Sequence, residues 1–464
     1  MKPIRILVFA PMPPTISGGI EEYAYSVIAE MQKQQQQQQQ NKMDLKIRVV
    51  TSRFKDNSKY PSAADGYILI PSSIVCKRPL PISLLALFKV INAIRESDII
   101  HIHMPYPFLE TVAAFFSKLF GKKVIVTYHM DAKIDDDDND NKDNLRSENI
   151  KKNNNKTKKL LYYFVEKMYY WLSARCTLVL CDLICTNTKA YAVASPFLKK
   201  YMSKVQVIHQ GIRKELYDYM DQSYVSEIRP KYLGQKYSYI VTFVGRLVPY
   251  KGLPYLIDAI RLLHNSNNNN RDKIFFIIGG NGPQKQYLCN LVKSYNLDNV
   301  FFAGYVKDQD LFNLFAASDL VVSPSVSELE STPISLLSAL AAGTSVIGTS
   351  VGGTAETIPN DGIRSSIIPI NNSKILAETI TSMLEKIKQR KEKLETNDNK
   401  EEKKTNQSKS NKSLPAPRFW SDVAKDYVQL VYRLLDIQGD KNTNNDTHPK
   451  DKKYLLTRGK IMDL

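Results

Sequence analysis

Gly245-Arg246-Leu247-Val248-Pro249-Tyr250-Lys251-Gly252 sets two cations on one short loop between an apolar run and an amphipathic stretch, Leu253–Leu263. Ligands of parallel α/β sheets sit at such strand-to-helix turns. Arg246 offers a planar fork and Lys251 a point charge, a combination suited to a diphosphate, although two surface cations would read the same way. Further on, Ser323-Pro324-Ser325-Val326-Ser327-Glu328-Leu329-Glu330-Ser331-Thr332-Pro333 runs into an apolar stripe at Ile334, Leu337, Leu340 and Ala341 that Gly343 ends. Thr332 reads as an N-cap and Pro333 as the first helical residue. Amides at that helix start, near Ile334 and Ser335, can hold a phosphate. Glu330 just before it can accept hydrogen bonds from sugar hydroxyls, or be a plain surface acid. Gly279-Gly280-Asn281-Gly282-Pro283 follows another apolar run; its glycines permit close backbone approach, but an ordinary turn explains them equally well.

These loops need sheets to hold them. Apolar runs predict strands at Ile4–Ala10, Lys46–Ser52, Asp98–His103, Lys123–His129, Leu178–Thr186 and Lys204–His209. A second set is predicted at Tyr239–Gly245, Lys273–Gly279, Asn299–Ala303, Leu320–Ser323, Thr344–Gly348 and Ser366–Pro369. They alternate with helical patterns, the signature of parallel α/β sheets, and each set suffices for its own doubly wound sheet. A length of 464 residues suits two domains, with a boundary soon after Gly211. Low-complexity tracts at Gln34–Gln40, from Asp135 to near Lys159, and at roughly Glu395–Ser413 cannot bury a core and are expected as surface loops. The run Asp135–Asp140 contains D-x-D patterns, but in a polar context with no strand to fix a metal.

Composition narrows the classes. The hydrophobic fraction, 43%, is that of a globular chain, and no stretch reaches the roughly 18–20 apolar residues of a membrane span. The first residues are too short in their apolar run for a signal peptide. Five irregularly spaced cysteines suggest neither a disulfide framework nor a zinc site, which points to a reducing cytoplasm; Cys181 and Cys185 read as small buried residues. The net charge of +17 fits nucleic acid, an anionic membrane or merely a lysine-rich proteome, and nucleic acid has no support beyond charge. A dinucleotide dehydrogenase is disfavoured because no G-x-G-x-x-G follows the first strand.

The segment from Glu330 resembles the donor loop of glycosyltransferase family 4, whose fold is GT-B: two Rossmann-like, doubly wound domains facing a central cleft. Glu330-Ser331-Thr332-Pro333 and Leu336-Leu337-Ser338-Ala339-Leu340-Ala341-Ala342-Gly343 match its two halves. Further matches follow in order: Gly18-Gly19-Ile20-Glu21-Glu22-Tyr23, His101-Ile102-His103, Thr127-Tyr128-His129, Val207-Ile208-His209-Gln210-Gly211, Gly245-Arg246-Leu247 with Lys251-Gly252, Gly280-Asn281-Gly282-Pro283, and Val351-Gly352-Gly353. The resemblance spans about residues 4–436. It implies residues 1–211 as an acceptor-side domain with inserts near 33–42 and 132–158. Residues 212–417 would bind the nucleotide sugar, with a flexible segment at 395–413. A helix at 418–436 would cross back to the first domain, followed by a tail at 437–464.

The resemblance implies a retaining, metal-independent transfer of a sugar from a nucleoside-diphosphate sugar to a glycan or lipid-linked hydroxyl, with no cofactor. Arg246 and Lys251 would bind the diphosphate, Glu330 the transferred sugar, and His129 would lie beside that sugar. Gly18 and Gly19 would approach the phosphates, and Gly282, Thr332, Ile334, Ser335 and Ser338 would line the donor. His101 and His103 share one strand face and are expected to pack and support rather than react. The family has a second glutamate where this chain has Ser338, which is shorter, neutral and unable to accept two bonds in fork geometry. That departure implies weaker or altered ribose binding and motivates an alternative, a catalytically impaired GT-B subunit. Gln210 also stands where asparagine is usual. Many members act on membrane-delivered acceptors, and Lys151, Lys152, Lys156, Lys158 and Lys159 beside Leu160-Leu161-Tyr162-Tyr163-Phe164 and Tyr169-Tyr170-Trp171 suit an anionic bilayer. The chain is then cytoplasmic, peripheral on the inner face of the membrane; the other reading is that those aromatics pack onto the sheet.

Overall fold

A computed structural model describes residues 3–14, 19–37, 45–54, 66–75, 78–81, 83–106, 108–131, 168–218, 222–265, 273–328, 330–397 and 417–435. Two sheets organise them. The first has eight strands: β1 Ile4–Phe9, β2 Leu45–Arg53, β3 Tyr67–Val75, β4 Arg78–Pro81, β5 Ile99–Met104, β6 Lys123–Tyr128, β7 Leu183–Thr186 and β8 Val205–Val207. Their order is β4-β3-β2-β1-β5-β6-β7-β8, parallel except for β3 with β4. The second has six: β9 Tyr239–Val244, β10 Ile274–Gly279, β11 Val300–Gly304, β12 Leu320–Ser323, β13 Ser345–Thr349 and β14 Ser365–Ile368, in order β11-β10-β9-β12-β13-β14, all parallel. Each is doubly wound, so the fold is α/β with two Rossmann-like domains. Strands covered on both faces are buried along their whole length: all six residues of β5 are buried, His101 and His103 among them.

Four expectations are corrected. Strands β3 and β4 were not foreseen, because Pro71 and Ser72-Ser73 interrupt the apolar run. The proline sits where β3 stops pairing with β2 (Arg53 opposite Pro71) and starts pairing with β4 (Ser72 opposite Pro81), a place where a missing donor is tolerated. The run from Leu178 is a helix end, not a strand. Leu178 and Cys181 face the core while Val179 is exposed, a helical rather than alternating pattern, and the strand starts only at Leu183. The glutamine tract does not begin as a loop, since the first helix, Gly19–Gln37, continues into it and Gln34 donates to the Ser421 carbonyl. Likewise the helix Ser373–Asn397 extends into the segment expected to be flexible from residue 395. The acidic run Asp135–Asp140 lies outside the described residues. Cys181 and Cys185 are buried free thiols, and among the described residues no group of three or more potential ligands is placed to hold a metal.

The helix Trp420–Leu434 packs on the first domain. Trp420, Val423, Ala424, Tyr427, Leu430 and Val431 recur at helical spacing and join a core with Ile6, Val8, Tyr23, Val27 and Ile28. Burial of each large apolar side chain contributes about 1.5–3 kcal/mol. The chain returns beside its own exit: Ile212 and Phe419 form a short parallel bridge, and a Cβ on Gly211 would lie 2.6 Å from the Phe419 backbone. Only glycine fits at that crossing.

Candidate active site

Strands β9, β10 and β12 release the three loops that sequence singled out, and the backbone welds them together. Leu247 donates its amide to the Asn281 carbonyl, Gln284 to Leu247 and Val326 to Tyr250. The glycines explain the fit. A Cβ on Gly252 (φ +68°) would lie 2.0 Å from the Pro324 carbonyl oxygen, on Gly280 (φ +125°) 1.8 Å from that of Gly245, and on Gly282 2.3 Å from that of Leu247. Gly282, expected to approach the donor, has its free side against the neighbouring loop's backbone.

At the centre of these loops Lys251 and Glu330 meet. Lys251 Nζ donates to Glu330 Oε2 at 2.5 Å, and Ser325 Oγ donates to the same oxygen at 2.7 Å. Their side chains are 16% and 8% exposed, so the pair is largely desolvated. Burial by itself would lower the Lys251 pKa; the Glu330 carboxylate, the Tyr250 phenol and the hydrogen bond outweigh it and raise the pKa above the usual lysine value. Arg246 is exposed on the same loop, so one cation is held and one is open. The turn Val351-Gly352-Gly353 buttresses the carboxylate loop: Gly353 donates its amide to the Glu330 carbonyl and Gly352 to Glu328 Oε2.

The helix that follows spans Ile334–Ala341. Thr332 is not its side-chain cap; Pro333 occupies the cap position, while the buried Thr332 hydroxyl donates to the Ser331 carbonyl. The helix starts one residue later than expected because the Pro333 carbonyl takes the amides of Leu336 and Leu337. Ile334 and Ser335 therefore form the first turn, half-buried, and the Ile334 amide already bonds to the Thr332 carbonyl. Ser338, one turn in, is buried.

The histidines that sequence singled out lie in the first domain. His129 directly follows β6 and is 9% exposed; its Nε2 lies 2.9 Å from His103 Nδ1, and the two rings stack at 5.2 Å. His101 Nε2 meets Thr127 Oγ1 at 2.7 Å, Thr127 meets the Tyr427 hydroxyl at 2.7 Å, and Tyr427 meets that of Tyr23 at 3.2 Å. Burial pushes His101 and His129 down to about pKa 3, and His103 well below the usual value with help from both neighbours. These imidazoles are neutral at pH 7. Gly19 opens the first helix with open space around its Cβ position, while Gly18 lies outside the described residues.

The domains touch beside Glu330. Thr188 Oγ1 donates to the Ser331 carbonyl at 3.2 Å, a Cβ on Gly353 would lie 2.5 Å from Thr188 Cγ2, and the Glu356 carboxylate accepts the amides of Lys189 and Ala190 at 3.0 and 2.8 Å. Sequence reasoning missed Thr188, Ser325 and Glu356. Thr188 and Glu356 carry no spacing signal because each acts between the domains, and Ser325 none because its contact with Glu330, five residues on, depends on how that loop folds back. A separate cavity of about 250 Å³ lies between the first helix and the chain crossing, lined by Lys33, Arg213, Phe419 and Trp420; it shares no residue with this site.

Comparison with known proteins agrees with this layout. Residues 17–216 match the family model described as Glycosyltransferase Family 4, and residues 225–401 the one described as Glycosyl transferases group 1. O-antigen chain mannosyltransferase C of Escherichia coli is 27% identical over 303 residues, 65% of this chain and 70% of that one. D-rhamnosyltransferase WbpZ of Pseudomonas aeruginosa is 28% identical over 274 residues, 59% of this chain and 61% of that one. The fold is similar to Anabaena HepE, solved in complex with UDP-glucose: TM-score 0.58, 17% identity, covering 93% of this chain and 99% of that one.

Proposed function

Because this chain belongs to the family 4, group 1 glycosyltransferases and has their two-domain GT-B fold, we propose that it moves a sugar from a nucleoside-diphosphate donor to a hydroxyl of a glycan or lipid-linked acceptor, with retention. The observation that carries this reading is the desolvated Lys251–Glu330 pair, set on welded loops beside the exposed Arg246 and at the contact between domains. A leaving diphosphate needs positive charge; Arg246, Lys251 and the helix start at Ile334-Ser335 supply it without a metal. Lys251 turning to a phosphate frees Glu330 to receive sugar hydroxyls, and His129 faces the same sugar from the other domain. The relatives' names support a polysaccharide acceptor, and the complex of the structural neighbour supports a nucleotide-sugar donor. The test is a thermal-shift panel of GDP-, UDP-, dTDP- and ADP-sugars, followed by transfer in the presence of EDTA. One donor class at 100 times its Kd should stabilise by about 2.7 kcal/mol and should transfer without metal. If none shifts the melting curve, the donor site is misassigned.

The reading includes an anionic membrane surface. Lys151 to Phe164 fall outside the described residues, but the aromatics that follow split: Tyr170 is buried and Trp171 exposed. Leu85 and Phe88 on the helix Leu84–Glu96, Phe115 and Leu119 on the helix Leu109–Leu119, and Trp171 and Leu172 on the helix at residues 168–180 are exposed, with Lys89, Arg95 and Lys123 exposed nearby in sequence. Apolar groups among cations suit a bilayer of anionic headgroups. No helix among the described residues is long and apolar enough to cross a membrane. Co-sedimentation with anionic vesicles at low salt should be strong, and should fall at high salt and in a Phe88→Ser/Phe115→Ser double variant. Equal binding to neutral vesicles, or none to anionic ones, rejects this part.

A further inference from the structure

We propose that His103 is a positioning residue that fixes His129 in the tautomer protonated on Nδ1, so that His129 meets the donor sugar as a hydrogen-bond donor and not as a base. The tautomer follows from the packing of the two rings; its effect on transfer rests on the transferase reading.

One proton lies between His103 Nδ1 and His129 Nε2, 2.9 Å apart. If His129 supplied it, His103 would carry its own proton on Nε2, and that atom is buried with no hydrogen-bond partner. If His103 supplies it, only a lone pair is stranded at Nε2. Buried N–H groups without an acceptor are the rarer case in folded proteins, while acceptors left partly unused are less so. A doubly protonated His103 would strand the same N–H and add a charge inside a fully buried site. The arrangement consistent with the structure is therefore His103 Nδ1–H donating to a bare His129 Nε2.

The neighbours hold this choice. The His103 ring is stacked on that of His129 and lies 4.4 Å from that of His101, and Tyr23 packs edge-on against both His103 and His129. His101 is engaged separately with Thr127, so it does not compete for the His103 proton. With Nε2 of His129 accepting, its remaining nitrogen, Nδ1, carries the proton. A hydroxyl on the donor sugar can accept from it, and no lone pair is left there to take a proton from the acceptor.

The full-length protein labelled with 15N-histidine contains six histidines, a sparse spectrum in which the loss of one signal set in His129→Gln assigns that ring. The expected result is a neutral His129 protonated on Nδ1. In His103→Phe, which keeps an aromatic ring but no donor, His129 should lose its fixed tautomer, and kcat should fall about tenfold with the donor KM within about twofold. His103→Asn, whose amide N–H can reach the place of Nδ1–H, should restore both. A wild-type His129 protonated on Nε2 overturns the proposal, as does a His103→Phe protein with unchanged tautomer and kcat. If that variant does not fold, the wild-type spectrum decides alone. If no donor supports transfer, the functional reading fails while the tautomer is still measured.

Discussion

Lys251→Ala should lower sugar transfer by about 100-fold or more and also destabilise the second domain. The two losses have different origins. Transfer suffers because a preorganised charge facing a developing anion is removed, a change worth about 10²–10³ in rate at other sites of this kind. Stability suffers because Glu330 is left buried with Ser325 as its remaining side-chain partner. Removing one member of a buried ion pair costs about 3–5 kcal/mol, whereas replacing both members is often nearly neutral. A Lys251→Met/Glu330→Gln double variant should therefore unfold close to wild type in denaturant and still not turn over. If the double variant is no more stable than Lys251→Ala, the pair is not the desolvated unit described above. Wild-type turnover in the single variant removes Lys251 from the phosphate site.

Acid should weaken the first domain well before its carboxylates titrate. His101 and His129 have pKa values near 3 in the folded chain, against 6.5 ordinarily, because burial disfavours their charged forms. The unfolded chain binds more protons between those values, so stability is fully present above about pH 6.5 and is lost as pH falls toward 3. Each unit of pH costs about 1.4 kcal/mol per group, so at pH 4.5 the two together remove about 5 kcal/mol. That is comparable with the whole stability of an ordinary domain, about 5–15 kcal/mol. Denaturant midpoints measured from pH 7 to 4.5 should drop steeply, and because burial holds His103 neutral as well, His101→Gln should lose about a third of the dependence. A flat profile over that window would mean that the imidazoles reach solvent and are not held neutral.

The positions of the cation loop and of the carboxylate before the helix Ile334–Ala341 were readable because each lies at a strand-to-helix junction, where local pattern sets position, and that of His129 because it directly follows the apolar run of β6. What the local pattern did not decide depended on which backbone groups meet in three dimensions. Thr332 looks like a cap from its neighbours alone, but the Pro333 carbonyl takes the amides that define the helix start. At Gly282 the neighbouring residues do not reveal that a Cβ would lie 2.3 Å from the Leu247 carbonyl oxygen. Glu356 has no local signature, because its partners, the amides of Lys189 and Ala190, lie in the other domain. His101 and His103 were expected to support rather than react, and the alternation that places both on one face of β5 was the part of that reading the sequence carried.

The return of the last helix to the first domain has a consequence for synthesis. On the ribosome the first sheet is complete once Val207 emerges, but its surface over Ile6, Tyr23 and Val27 stays bare until Trp420 to Val431 arrive about 200 residues later. At about 5–20 residues per second that interval is roughly 10–40 s. Through it the nascent first domain carries an open apolar face and a Thr127 hydroxyl whose second partner, Tyr427, has yet to arrive. The second domain, whose core draws on nothing beyond Ile387, can close first. Arrival of the returning helix, rather than passage of the domain boundary, is then the event that seals the N-terminal half.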